Sequence, residues 1–262
     1  MPRPVWLAAA FLLSLTSNCQ AGPATPPVRQ VRPSASLVPA NLLRISIEFA
    51  APVAGAVLPR LALERADGSV VDAPFLEQEL WSPDGAILTI LLHPGRVKTG
   101  LFAHEQLGPQ LTEGEQVALT LDGRPLVHWT VGPIDSTGPA PAAWTLSTVQ
   151  AGSRAHLLVK LDGPIDGRDA DYLAIADGAG RRVSGKAKLI DGETRWRFIP
   201  DTAWEAGDYA LVARATLEDP AGNRLGGHFE TPIDHPDQAR ADARIAFSVT
   251  RSQRQQHQTN NR

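Results

Sequence analysis

Five residues between positions 93 and 105 gather ionisable chemistry: His93, Arg96, Lys98, His104 and Glu105. Arg96 and Lys98 suit an anionic group, Glu105 suits hydroxyls or a cation, and either histidine offers a titratable contact. Lys98 is one of only four lysines in the chain. The competing reading is a compact surface loop packed by Val97, Leu101, Phe102 and Leu107, with its charges solvated. The run His104-Glu105-Gln106-Leu107-Gly108 is superficially like a zinc-protease motif. It has Gly108 where a second imidazole must stand one helical turn later, and no helix is expected around it. Zinc chemistry is therefore excluded there.

Other chemistry is thinner. Asp162, Asp166, Asp169 and Asp171 lie in a glycine-containing loop, but their spacing does not fit a calcium loop, and a polar turn is expected. His128 and His228 each precede an aromatic residue, which favours a shared structural role. The stretch Asp234-His235-Pro236-Asp237 reads as a loop exit. Copper carriage is discounted because Met1 is the only methionine, so thioether ligands are missing. There is no G-x-S-x-G elbow and no P-loop. No cofactor and no metal is expected.

The elements that must position these residues follow from composition and pattern. Hydrophobic residues make up 43% and charged residues 20%, ordinary for a globular chain. Glycine and proline number 22 each, above the usual share, which suits short strands and many turns. A net charge of −3 gives no reason to expect nucleic acid as a partner. One cysteine excludes a disulfide framework. Arg3, then the apolar run 5–15, then short polar residues to Ala21 have the order of a secretory signal, residues 1–21. That run is too short to span a hydrocarbon core of ~30 Å. Cleavage after Ala21 is expected; a lipid anchor at Cys19 is the alternative. Residues 22–36 are proline-rich and read as a linker.

An internal repeat sets the architecture. Ile45, Ile47 and Phe49 match Leu157, Val159 and Leu161 at an offset of 112, as do Leu61 and Leu63 with Leu173 and Ile175. Asp84-Gly85 matches Asp191-Gly192, Gly114-Glu115 matches Gly207-Asp208, and His128-Trp129 matches His228-Phe229 as the final strand of each unit. The matched runs alternate with period two, as in Thr194-Arg195-Trp196-Arg197-Phe198. The expected fold is all-β: two tandem immunoglobulin-like β-sandwiches, at 37–133 and 139–234, followed by an edge strand and flexible tail over 235–262. Between Pro94 and Gly114 lie 19 residues, against six between Pro200 and Gly207, so the first unit carries an inserted loop at 95–110.

The second unit's order of Trp196-Arg197-Phe198-Ile199-Pro200, Trp204, Gly207, Tyr209 and Asp219-Pro220-Ala221-Gly222-Asn223 resembles bacterial Ig-like domains of the S-layer (SbsA) type. The first unit has Leu121-Asp122-Gly123-Arg124-Pro125 where the longer Asp-Gly-Asn loop would stand. Together the units also resemble a two-domain exported bacterial family. The resemblance implies Ig-like sandwiches outside the cytoplasm, with the pattern residues as scaffold, and no particular reaction. The expected function is a non-catalytic cell-envelope spacer or binding module, periplasmic or extracellular, whose partner is an envelope protein or glycan. The alternative is an enzyme or metal protein with its site at 95–110 or at the domain junction near 132–141.

Overall fold

The computed structural model describes residues 25–97, 102–225 and 241–251. The signal at 1–21, Lys98, the whole of His228 and the tail beyond 251 lie outside them, and so does the side chain of His104. Strands in the first domain form wherever apolar residues alternate. They are β1 (Val28–Arg32), β2 (Leu37–Pro39), β3 (Arg44–Phe49), β4 (Leu61–Arg65), β5 (Leu80–Trp81), β6 (Ile87–Leu91), β7 (Gln116–Leu121) and β8 (Arg124–Gly132). They build two sheets, ordered β1-β3-β6-β5 and β2-β8-β7-β4. Among the described strands of this domain, only β2 against β8 is parallel.

The second domain repeats the plan with β9 (Thr145–Leu146), β10 (Leu157–Lys160), β11 (Leu173–Asp177), β12 (Gly185–Ile190), β13 (Arg195–Pro200), β14 (Gly207–Ala213) and β15 (Ala243–Val249). Its sheets run β12-β13-β10-β9 and β11-β14-β15. Two tandem Ig-like β-sandwiches result, as the repeat predicts.

The register shows why the repeat is readable. Ile47 opposes Leu88 in the first domain, and Val159 opposes Trp196 in the second. Leu61 opposes Leu121, and Leu173 opposes Ala213. Each inward position of one unit therefore has an inward counterpart in the other, because both must fill the same gap between two sheets. Trp129 and Trp196 lie in the two cores, 2% and 0% exposed. Each indole N–H finds a carbonyl, of Pro33 at 3.1 Å and of Ala170 at 2.9 Å. A buried ring with an unpaired N–H would forfeit much of what its burial contributes.

Three expectations need correction. The linker assigned to 22–36 is not a linker from residue 28 onward. Val28–Arg32 pairs with β3 and buries Val31, so the first sandwich starts well before residue 37. Proline content hid the strand, because Pro33 falls just past its end rather than within the ladder. Second, the last described strand of the second unit is β15, beyond the expected His228-Phe229, which lies outside the described residues. β14 pairs residue for residue with β15, which sets Phe247 opposite Tyr209 as Trp129 sits opposite Val117. The second sandwich thus extends past residue 234. Third, residues 102–107 are helical, as described below.

Truncating Trp196 to alanine should cost about 3–5 kcal/mol of unfolding free energy, because a ring and its hydrogen bond are lost together. Urea denaturation measures it, and a loss under about 1 kcal/mol would place the ring outside the core.

Candidate functional site

The insertion between β6 and β7 folds into two short helices, α1 (Pro94–Val97) and α2 (Phe102–Leu107). Gly108 ends α2 with a positive φ of 73°, which lets the chain reverse toward Leu111. Arg96 holds the insertion together. It is only 5% exposed and aims its guanidinium inward, at carbonyl oxygens of two separate segments. Nε donates to Gly108 O at 3.0 Å, Nη1 to Asp72 O and Ala73 O, and Nη2 to Leu107 O and Pro109 O. Burial pulls its pKa below the ordinary arginine value without discharging it.

Arg96 is therefore not the anion contact that its company suggested. A planar fork of N–H donors is the one side chain that satisfies so many inward-facing carbonyls at once. His93 is half-buried; its backbone N–H donates to Pro74 O at 2.9 Å, and its ring Nδ1 is buried with no hydrogen-bond partner among the described residues. Gln110, which sequence reasoning passed over, is 2% exposed; its Nε2 donates to that same carbonyl of Pro74, and its Oε1 likewise has no partner among the described residues. Glu105 stands exposed on α2. Of the residues proposed as one binding group, the described side chains of Arg96 and Glu105 point in different directions, inward and to solvent.

Val97 and Leu111 do pack inward, at 8% and 1% exposure, but Phe102 and Leu107 do not. They are 77% and 57% exposed, so α2 presents an aromatic and an aliphatic side chain to solvent next to Glu105. Exposed rings of this kind are common at contact surfaces.

The most organised polar chemistry lies instead where the domains meet. Arg44, at the start of β3, reaches Asp166 at 3.2 Å and Glu218, both in the second domain. Arg168 and Arg224 complete the neutralisation, pairing with Asp166 and Glu218 respectively. Arg32, at the end of β1, pairs with Glu193, which is 1% exposed and also accepts Ser34 N–H and Oγ–H at 2.7 Å each. Gly167 lies so close to Arg32 that a Cβ there would stand 2.1 Å from Arg32 Cδ, so any side chain at 167 would displace the arginine. A backbone bond from Leu43 N–H to Pro220 O, 2.9 Å, crosses the joint as well.

The loop 219–223 does more than close a turn. Asp219 accepts Asn223 N–H at 2.9 Å and Asn223 Nδ2–H at 2.8 Å. Asn223 Nδ2 also donates to Asp135 O in the interdomain strap at 3.0 Å, and Asn41 Nδ2 donates to the same oxygen at 2.8 Å. Asp219 is pushed up to about 7, first by burial and then by the charge of Asp135. Asp169 is also pushed up to about 7, first by burial and then by Asp166.

The aspartates once weighed for calcium have these other partners. Asp162 accepts Ala140 N–H and Trp144 Nε1–H, and Asp171 is exposed. Among the described residues no three His, Cys, Asp or Glu side chains are grouped to hold a metal ion. Beside the joint lies an open cleft of about 550 Å³, lined by Gln30, Ser46, Glu48, Leu80, Arg168 and Asp171. A shallow trough of about 580 Å³ crosses the outer face of β4, β7 and β8, beside exposed His128.

No protein-family model matches the chain, and no curated protein matches it. Among solved structures, the chain is similar to an L,D-transpeptidase from Mycobacterium smegmatis at 13% identity and a TM-score of 0.30, covering 86% of this chain and 74% of that one. It is similar to the titin domains z1z2 in complex with telethonin at 11% identity and 0.24, covering 87% and 97%. The Ig1-2 module of the Drosophila receptor protein tyrosine phosphatase DLAR gives 11% and 0.22, covering 87% and 100%.

Two substitutions in the insertion should separate scaffold from surface. Arg96→Ala strips the inward carbonyls of their donors and should cost about 2–3 kcal/mol, whereas Glu105→Ala should stay within about 0.5 kcal/mol in the same urea titration. At the joint, Arg44→Ala should cost about 2–3 kcal/mol. That is less than a fully orphaned buried pair loses, because Arg168 and Arg224 still face the two carboxylates. Calorimetry on the two-domain chain measures this cost, and an unchanged melting profile would show the pair to be energetically idle.

Proposed function

We propose that the chain is a non-catalytic module of the bacterial cell envelope, exported by its N-terminal signal, that acts as a spacer or as a binder of an envelope protein or glycan. The observation that carries the reading is the joint. Arginines of the first sandwich neutralise buried carboxylates of the second, so the two are held as one body rather than strung on a free linker. Such a body sets the distance and angle at which loops are presented. The resemblance to S-layer-type Ig-like domains is in keeping with this role, and so is a signal of the n-, h- and c-region kind at 1–21. A lipid anchor at Cys19 is the alternative way of holding it at the envelope. Within the inserted loop the contact surface is assigned to Phe102, Glu105 and Leu107 on α2, since these are the side chains turned outward.

Export is tested by fusing residues 1–40 to an alkaline phosphatase that folds only outside the cytoplasm; active fusion supports the reading, and an inactive, cytoplasmic fusion overturns it. Contact is tested by co-sedimentation of the chain from residue 22 with cell-wall sacculi and with outer-membrane vesicles. Retention should fall at least about fivefold in Phe102→Ser/Leu107→Ser, by loss of exposed apolar contact. Equal retention of the variant rejects α2 as the surface.

A further inference from the structure

Two buried carboxylates at the joint have no cation of their own. Asp169 and Asp219 are 4% and 3% exposed, and they lie on the two second-domain loops that meet the first domain. Among the described residues neither forms an ion pair, since Arg44, Arg168 and Arg224 are taken by Asp166 and Glu218, and Arg32 by Glu193. Asp169 accepts one hydrogen bond, from Glu218 N–H at 2.9 Å. It faces Asp166 and Arg168 from its own loop and Glu218 from the connection after β14. Asp219 faces Asp135 from the strap, with Asn223 bonded to it and Arg224 next along the chain. From the first domain, Arg44 and Asn41 reach into the same joint.

We propose that the joint is a proton-governed hinge: with Asp169 and Asp219 neutral the sandwiches stay clasped, and with both ionised the clasp loosens. Ionising Asp169 adds a negative charge beside Asp166 and Glu218, the two carboxylates that hold Arg44 across the boundary. Ionising Asp219 adds one beside Asp135, whose carbonyl is held from one side by Asn41 and from the other by Asn223. Each new charge falls where low dielectric makes repulsion costly and where the domains touch. Both groups are raised to about 7 in the folded chain, against an ordinary aspartate value of about 3.9 unfolded. Stabilisation is therefore fully present below the unfolded value and is lost as pH rises through about 7. The hinge concerns the two-domain body alone and stands whether or not the chain is exported or finds a ligand, so the purified chain tests it separately from the proposed function.

The experiment places spin labels at Ser69→Cys and Ala179→Cys, exposed turn positions one in each domain, with Cys19→Ser to remove the native thiol. Electron–electron distance distributions are recorded at about pH 5.5 and about pH 8.5, on either side of the transition. A narrow distribution at the lower pH that broadens at least about twofold at the higher is expected. The variant Asp169→Asn/Asp219→Asn should remain narrow at both. Equal widths for the wild type at the two pH values overturn the hinge, as does a variant that broadens like the wild type. Should the variant not fold, hydrogen exchange on the unsubstituted chain decides. Protection of Leu43 N–H, which bonds across the joint to Pro220 O, should fall about tenfold relative to Ile47 between the two pH values. Constant relative protection overturns the hinge.

Discussion

Arg44 stands at the first residue of β3 and ends among carboxylates that belong to the other domain. Its position follows from strand alternation: Ile45 and Ile47 must enter the core, so Arg44 emerges at the strand's end with its side chain free to cross the boundary. Asp166 and Glu218 are brought to it by two loops of the second sandwich, which are themselves tied by Asp166 N–H to Glu218 O at 2.8 Å. Remove the arginine and the two carboxylates keep only Arg168 and Arg224 of their own domain, with no cation from across the boundary. Everything else at the joint is arranged around that neutralisation, including the absence of a side chain at Gly167, which lets Arg32 lie alongside.

The two sandwiches share a plan and differ in where they lengthen it. The first extends the β6–β7 connection into α1 and α2, and Arg96 keeps that excursion closed by gripping carbonyls from both of its flanks. The second extends the β14–β15 connection, and its first part supplies Glu218, Asp219 and Asn223 to the joint. The described part of the first loop turns Phe102, Glu105 and Leu107 to solvent, and the described first part of the second meets the neighbouring domain. The shared plan makes the repeats legible, while the lengthened connections carry residues that are not repeated.

Strand alternation made the cores readable from sequence. Ile45, Ile47 and Phe49, or Trp196 and Phe198, announce an inward face because period two is a local property. The joint was not readable for the opposite reason. Arg32 and Glu193 are 161 residues apart, and Arg44 and Glu218 are 174 apart, so no spacing rule links them. The 219–223 loop was recognised as a turn, but its second use, holding the strap, depends on what the first domain places opposite. Arg96 misled because charge reads as surface, whereas a guanidinium with enough carbonyls around it is at home inside. Val28–Arg32 was obscured by prolines on both sides and by a bulge between Val28 and Gln30, which leaves Val28 and Val31 three apart and breaks the period-two alternation.

The bond from Trp129 Nε1 to Pro33 O has a mechanical meaning. Thr25 lies beside Arg60, whose guanidinium also pairs with Asp122 at the β7–β8 turn, and β1 runs from there to the joint at Arg32. β15 runs away from the joint, from Ala243 near Arg214 to Val249. The chain thus enters one end of the pair and leaves by the other, and tension between those ends would load the β1–β3 ladder in shear, with Trp129 as its cleat. The same load would then pass lengthwise through Arg32, Arg44 and the strap, which makes the ion pairs at the joint tensile members.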